Sequence, residues 1–303
     1  MNGKKTKKRK KLVYTIFCLI MIYIIAHVTY IWAKERSESR IGVYSWHIDQ
    51  VNYDEFEEVA KDLKINSFYQ YVSSDKINNN NVINELVNFL DTIDIDTYLL
   101  CGSFEYSYDD EIMKLKQIID EVANYNSNNE IKLKGIVLDV EFYLDSRYME
   151  DTKQECFEIY YRNMKKAYEY SKEKGVKFIL VIPYWLDTEF GEEALEILIR
   201  DACDSLEVMN YYKSKSIDHI ASEIELAKKY NKSIVTISEL QKVDPINSIT
   251  EEITFYNNGL IDSKEDMEKI LKEYKYNKLG YAYHYYEYLI ELYNKENEKI
   301  KNF

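Results

Sequence analysis

The sequence predicts an α/β fold, a single (β/α)8 barrel preceded by one N-terminal transmembrane helix. Two observations predict the barrel. Between residue 41 and the C-terminus, eight short apolar segments alternate in order with amphipathic helical segments, a number and span that match a closed parallel barrel. Those segments are also largely apolar throughout, as strands covered on both faces are. A third observation predicts the membrane helix: residues 12–32, "LVYTIFCLIMIYIIAHVTYIW", contain no acid, Lys or Arg.

Residues 1–11 form a basic tail with seven Lys and Arg. The uncharged run that follows has 21 residues, which at ~1.5 Å rise cover the ~30 Å hydrocarbon layer of a bilayer. Tyr30 and Trp32 suit the far interface, and the basic cluster keeps the tail cytoplasmic. A cleaved signal peptide is the alternative. Against it, the run exceeds the ~7–15 residues usual for such a region, and no A-x-A-like site follows. Residues 33–40 read as a polar linker and 41–303 as the barrel. The chain is therefore expected at the cell membrane as a single-pass protein with its barrel outside the cytoplasm.

Composition narrows the partners. The chain has a net charge of −13, and with the tail's seven positive charges set aside the rest carries −20. Nucleic acid, or any anionic polymer held by charge, is thereby excluded as an expected partner. Cys18 lies in the predicted span, while Cys101, Cys156 and Cys203 are odd in number and scattered, without disulfide or zinc spacing. With four His and no H-x-x-H, no His-built metal site and no cofactor are expected.

The barrel units follow in order. "IGVYSW" (41–46) precedes "NYDEFEEVAKDL", whose Phe56, Val59, Ala60 and Leu63 keep i, i+3, i+4 spacing. "INSFYQYV" (65–72) precedes "NNVINELVNFLDTI", and "IDTYLLCGS" (95–103) precedes "YDDEIMKLKQIIDEVANY". "KGIVLDVEF" (134–142) leads to a long helical stretch, "VKFILVIPYW" (176–185) to "EEALEILIRDAC", and "SLEVMNYY" (205–212) to "SIDHIASEIELAKKYN". "SIVTISEL" (233–240) is followed by a longer loop and "SKEDMEKILKEY", and "LGYAYHYY" (279–286) runs into the last helix. A doubly wound open sheet is the runner-up, but no G-x-G-x-x-G or G-x-x-x-x-G-K-[ST] follows any strand.

Phase along the strands selects the candidate site. Alternate strand residues share a face, so Val137, Asp139 and Glu141 point one way, and Ile136, Leu138 and Val140 the other. The acidic set is expected to face the C-terminal mouth, where barrel enzymes keep their chemistry. Glu239 ends the seventh strand in the same manner, and Met209 with Tyr211 the sixth. Tyr44 and Trp46, Gln70, Tyr184 and Trp185, and His284 close other strands. Acids ringed by aromatics and amides are a carbohydrate-site pattern, in which aromatic faces cover sugar CH surfaces and carboxylates do acid and base work.

At "KGIVLDVEF" and "EVMNYY" the chain resembles the glycoside hydrolase family 18 barrels, whose fourth strand carries D-G-x-D-x-D-x-E and whose sixth carries M-x-Y-D. The resemblance implies Glu141 as general acid, Asp139 orienting a substrate acetamide, and Tyr211 supporting its carbonyl. Lys134 and Val137 stand in place of the two earlier acids, Tyr212 replaces the final Asp, and His284 stands near the expected Trp. The chain is also similar to poorly characterised bacterial glycosidase-like barrels, through "LDVE", "IPYW", "VMNYY", "ISEL" and "AYHYY". That similarity implies an acid/base at Glu141 and a nucleophile at Glu239, which need carboxyls roughly ~5–5.5 Å apart.

The expected function is a membrane-anchored, extracytoplasmic glycoside hydrolase on a polysaccharide, N-acetylated in the manner of chitin or peptidoglycan. Glu239 or the substrate's own acetamide would serve as nucleophile. A non-catalytic glycan-binding barrel is the alternative, motivated by the missing earlier acids. A third reading is a metal-dependent hydrolase with Asp139, Glu141, Glu239 and His284 as ligands.

Overall fold

A computed structural model describes residues 15–25, 39–73, 77 and 81–301. Eight parallel strands, β1 (Ile41–Ser45), β2 (Ser67–Tyr71), β3 (Asp96–Cys101), β4 (Ile136–Leu138), β5 (Phe178–Pro183), β6 (Ser205–Met209), β7 (Ser233–Glu239) and β8 (Leu279–His284), close into a barrel in sequence order. Pairing of β1 with β8, Gly42 opposite Ala282, completes the ring and leaves no sheet edge. The predicted (β/α)8 architecture is the one observed, and the open-sheet alternative falls.

Helix α1 is seen over residues 15–25, exposed throughout. The rest of the expected span 12–32 lies outside the described residues, among which no helix is long and apolar enough to cross a membrane. Around the barrel run α2 (Tyr53–Leu63), α3 (Asn81–Thr92), α4 (Met113–Asn128), α5 (Lys153–Lys174), α6 (Leu186–Phe190), α7 (Glu192–Asp201), α8 (Ala221–Lys229), α9 (Leu260–Tyr274) and α10 (Tyr286–Lys301). Helix α2 shows why the pattern folds so: the Asn52 side chain accepts from the Glu55 N–H at its start, and Lys64 ends it in the left-handed region. Its Phe56, Val59, Ala60 and Leu63 are buried, each large side chain stabilising by about 1.5–3 kcal/mol.

The interior of the barrel has two polar storeys separated by an apolar one. Leu100, Val137, Ile179, Val181, Val235, Ile237 and Ala282 form the apolar part with the rings of Tyr44, Tyr69 and Tyr98. Below them lies Arg40, which is 1% exposed and belongs to the barrel floor and not to a linker. Its Nε donates to the Tyr69 hydroxyl at 3.2 Å, Nη1 to Ser233 Oγ at 3.2 Å, and Nη2 to Ser205 Oγ at 2.7 Å and to Glu207 Oε1 at 3.2 Å. Glycine at 280 makes room for this plug, since a Cβ there would lie 2.0 Å from the Arg40 carbonyl oxygen.

Candidate active site

The upper polar storey opens at the C-terminal ends of the strands. Strand β4 stops at Leu138, but the Asp139 N–H still donates to the Cys101 carbonyl at 2.9 Å. The approach is tight: a Cβ at Gly102 would sit 1.9 Å from the Asp139 carbonyl oxygen, so glycine is required there. Glu141 is not on the strand as expected. It precedes the short turn Phe142–Leu144, in a loop conformation (φ −83, ψ 73). Both acids reach the mouth all the same.

A cavity of about 590 Å³ lies there, walled by Glu141, Tyr143, Tyr184, Trp185, Met209 and Tyr211, with Tyr212 and the loop after β7 closing the far side. The Tyr143 hydroxyl donates to Glu141 Oε1, and the Tyr143 ring meets Trp185 edge to face at 4.9 Å. Among the described residues, none on the wall is Lys or Arg. Beneath the wall, Asp139 Oδ1 is buried and has no hydrogen-bond partner. Burial, and then the charge of Glu141, push the Asp139 carboxyl up to about 7. Tyr211 is held well above its ordinary value by burial, and next by the charges of Glu239, Asp139 and Glu141. These acids therefore share one electrostatic neighbourhood.

Glu239 and His284 face each other across β7 and β8. His284 Nδ1 lies 2.8 Å from Glu239 Oε2, and Trp46 Nε1 donates to His284 Nε2 at 3.2 Å. Glu239 Oε1 accepts from the Gln241 N–H at 2.8 Å and Oε2 from Gln241 Nε2 at 3.2 Å. Glu239 is 1% exposed and is not part of the cavity wall. Although burial opposes it, the Glu239 charge raises the His284 pKa.

The structure thus brings Glu141, Tyr184, Trp185, Met209 and Tyr211 to one cavity, with Asp139 below it and Trp46, His284 and Glu239 beside it. Two expectations are corrected. Tyr44 is 2% exposed and its hydroxyl donates to Glu207 Oε2, because its inward phase puts it one storey below the rim. Gln70 alternates with the inward Tyr69 and so leaves the barrel face; its buried amide donates to the carbonyls of Ser45 and Tyr71. Nor do Asp139, Glu141, Glu239 and His284 form a ligand set, since among the described residues no group of three or more His, Cys, Asp or Glu could hold a metal ion. Sequence reasoning missed Tyr143, which nothing distinguished among 30 Tyr, and the wall residues Pro245, Ser248, Thr250 and Ile253, which lie in a loop without periodic signal.

No protein-family model matches the chain, and no curated protein matches it. Solved structures do. The C-terminal domain of a candidate chitinase from Desulfitobacterium hafniense DCB-2 has a TM-score of 0.56 at 10% identity, over 84% of this chain and 97% of that one. The spore cortex-lytic enzyme of Bacillus megaterium QM B1551 has a TM-score of 0.54 at 10% identity, over 82% and 70%. A broad-specificity endoglucanase from an uncultured bacterium has 0.54 at 10%, over 83% and 88%. The likeness is one of fold. It is the (β/α)8 barrel that these proteins also use.

Proposed function

We propose that the chain is a glycoside hydrolase acting on an N-acetylated polysaccharide, with Glu141 as general acid and the substrate acetamide as internal nucleophile. The observation that carries this reading is the placement of Glu141, on the wall of an aromatic cavity, above Asp139, whose buried Oδ1 has no hydrogen-bond partner. Burial and the Glu141 charge push the Asp139 carboxyl up to about 7, so near neutral pH Asp139 still holds a proton part of the time beside the proposed acid. Glu141 gives its proton to the glycosidic oxygen as the C1–O bond breaks. The acetamide carbonyl oxygen bonds to C1, while Asp139 accepts the acetamide N–H and Tyr211 supports the carbonyl. Water then attacks C1, the Glu141 carboxylate takes its proton, and the C1–O bond to the acetamide reopens. Hydrolysis results with configuration retained.

The acetamide route is preferred to a Glu239 nucleophile because both Glu239 oxygens are already engaged and Glu239 does not line the cavity. The acidic Glu141 on the cavity wall, with no Lys or Arg among the described lining residues, favours an uncharged stretch of glycan over a carboxylated or phosphorylated one. In the same reading residues 12–32 anchor the barrel outside the cytoplasm. Membrane partition of the full chain, lost on removal of residues 1–32, tests that anchor.

Glu141→Gln tests the chemistry. Turnover of chitin or peptidoglycan oligosaccharides is expected to fall by about 10²–10⁴-fold, the usual worth of a general acid, with binding by titration calorimetry retained. Undiminished turnover in Glu141→Gln would remove Glu141 from this role. Binding without turnover in the unaltered protein would make the barrel a glycan-binding module.

A further inference from the structure

We propose that Glu239 is a positioning residue: it fixes which nitrogen of His284 carries the proton, and through that ring it holds Trp46 and Tyr211 at the site. The functional consequence rests on the hydrolase reading; the proton's location does not. An indole N–H can only donate, so its bond to His284 Nε2 requires a lone pair there. A neutral imidazole then carries its proton on Nδ1, and that proton points at Glu239 Oε2, 2.8 Å away. Protonation of Nε2 would set two donors against each other.

Glu239 is itself held for this task. The Gln241 backbone and side chain engage its two oxygens, at 2.8 and 3.2 Å, and it is 1% exposed. His284 passes the constraint outward. Its ring lies at 6.2 Å and 28° to that of Tyr211, which lines the cavity, and edge-on at 5.7 Å to Tyr44 below. Trp46, bonded to Nε2, packs on Tyr71 at 5.5 Å. One carboxylate on β7 thereby orients aromatic groups from the ends of β1 and β6.

The test is histidine-selective ¹⁵N NMR on the full chain in detergent, where four His make assignment of His284 tractable. The unaltered protein at alkaline pH, above the raised His284 pKa, is expected to show a neutral His284 protonated on Nδ1 alone. Glu239→Met, which removes the acceptor, is expected to lose that preference, and Trp46→Phe to keep it. Proton on Nε2 in the unaltered protein, or an unchanged tautomer in Glu239→Met, overturns the proposal. If Glu239→Met does not fold, the unaltered protein and Trp46→Phe decide: loss of the Nδ1 preference in Trp46→Phe also overturns it. In kinetics, Glu239→Met should raise KM several-fold with kcat lowered by less than about tenfold, whereas loss of a nucleophile costs on the order of 10⁴-fold or more. A loss of that size with the tautomer intact would assign Glu239 to the chemistry instead. A chain that turns over no glycan but shows the expected tautomers refutes the hydrolase reading and leaves Glu239's positioning of His284 standing.

Discussion

The floor and the mouth of the barrel each bury acidic groups on the inward face of the same sheet, yet they treat them oppositely. At the floor Glu207 is 0% exposed and is met by Arg40 and by the Tyr44 hydroxyl, while Arg40 also bonds Tyr69, Ser205 and Ser233. At the mouth Asp139 has a buried oxygen without a partner, and burial and the charge of another acid, Glu141, outweigh the opposing influence of His284. Burial is costly in both places. The floor offsets that cost with partners inside the protein and so serves the fold. The mouth leaves it unmet, at the place where the cavity opens, and a strained electrostatic group beside an opening is where chemistry is found.

The sharpest way to break this contrast is at the floor. Arg40→Met would leave Glu207 buried without its counter-ion, and stability should fall by about 3–5 kcal/mol, the usual result of removing one partner of a buried pair. Chemical denaturation midpoints check this. Adding Glu207→Leu should recover much of the loss, because the stranded carboxylate is the source of the penalty. A single Arg40→Met variant of ordinary stability would mean that the floor pair is dispensable and the comparison has no basis.

The mouth should respond in the other direction. The folded-state pKa of Asp139, about 7, lies above the value of ~3.9 for an unfolded Asp. Between those two pH values the folded chain keeps a proton that the unfolded chain has lost, so this group's contribution to stability declines as pH rises, and levels off above about 7. Asp139→Asn has no such titration. Its stability relative to the unaltered protein should therefore improve from pH 4.5 to pH 8, while turnover drops about 10²-fold or more for want of the Asp139 carboxyl beside Glu141. Denaturation at the two pH values decides the sign, and a variant that loses stability at pH 8 would show that Asp139 is paired after all.

The same contrast explains what could be read from the sequence. Eight alternating units announced the barrel, and each strand formed within its apolar run, although β4 stops at Leu138, short of both acids. Asp139 stood out as an acid in an apolar strand, but so does Glu207 in "SLEVM", and nothing local to either says that one will meet Arg40 and the other keep a buried oxygen without a partner. Partners more than a hundred residues apart are a property of barrel closure. Arg40 read as linker because its role depends on Ser205, Glu207 and Ser233, which only closure brings beneath it. Phase was enough to bring Tyr211 and Met209 to the cavity wall, but height within the barrel, which sends Tyr44 to the lower storey, depends on strand stagger that alternation does not encode.

The aromatic wall should respond most weakly to substitution, and through binding. Trp185 is half-buried, touches Tyr143 edge to face, and borders the cavity beside Glu141. Its ring has no structural charge to satisfy, unlike Tyr44 and Tyr69, whose hydroxyls complete the floor network. Trp185→Ala should therefore leave the denaturation midpoint nearly unchanged and weaken oligosaccharide binding about two- to tenfold, the scale of one aromatic contact. Tyr69→Phe should do the reverse, since it takes a hydrogen-bond acceptor from Arg40 at a depth no sugar reaches. Paired measurements of KM and unfolding midpoint on the two variants test the division of labour: if both move the same quantity, the two storeys are one structure and the mouth is not a binding surface.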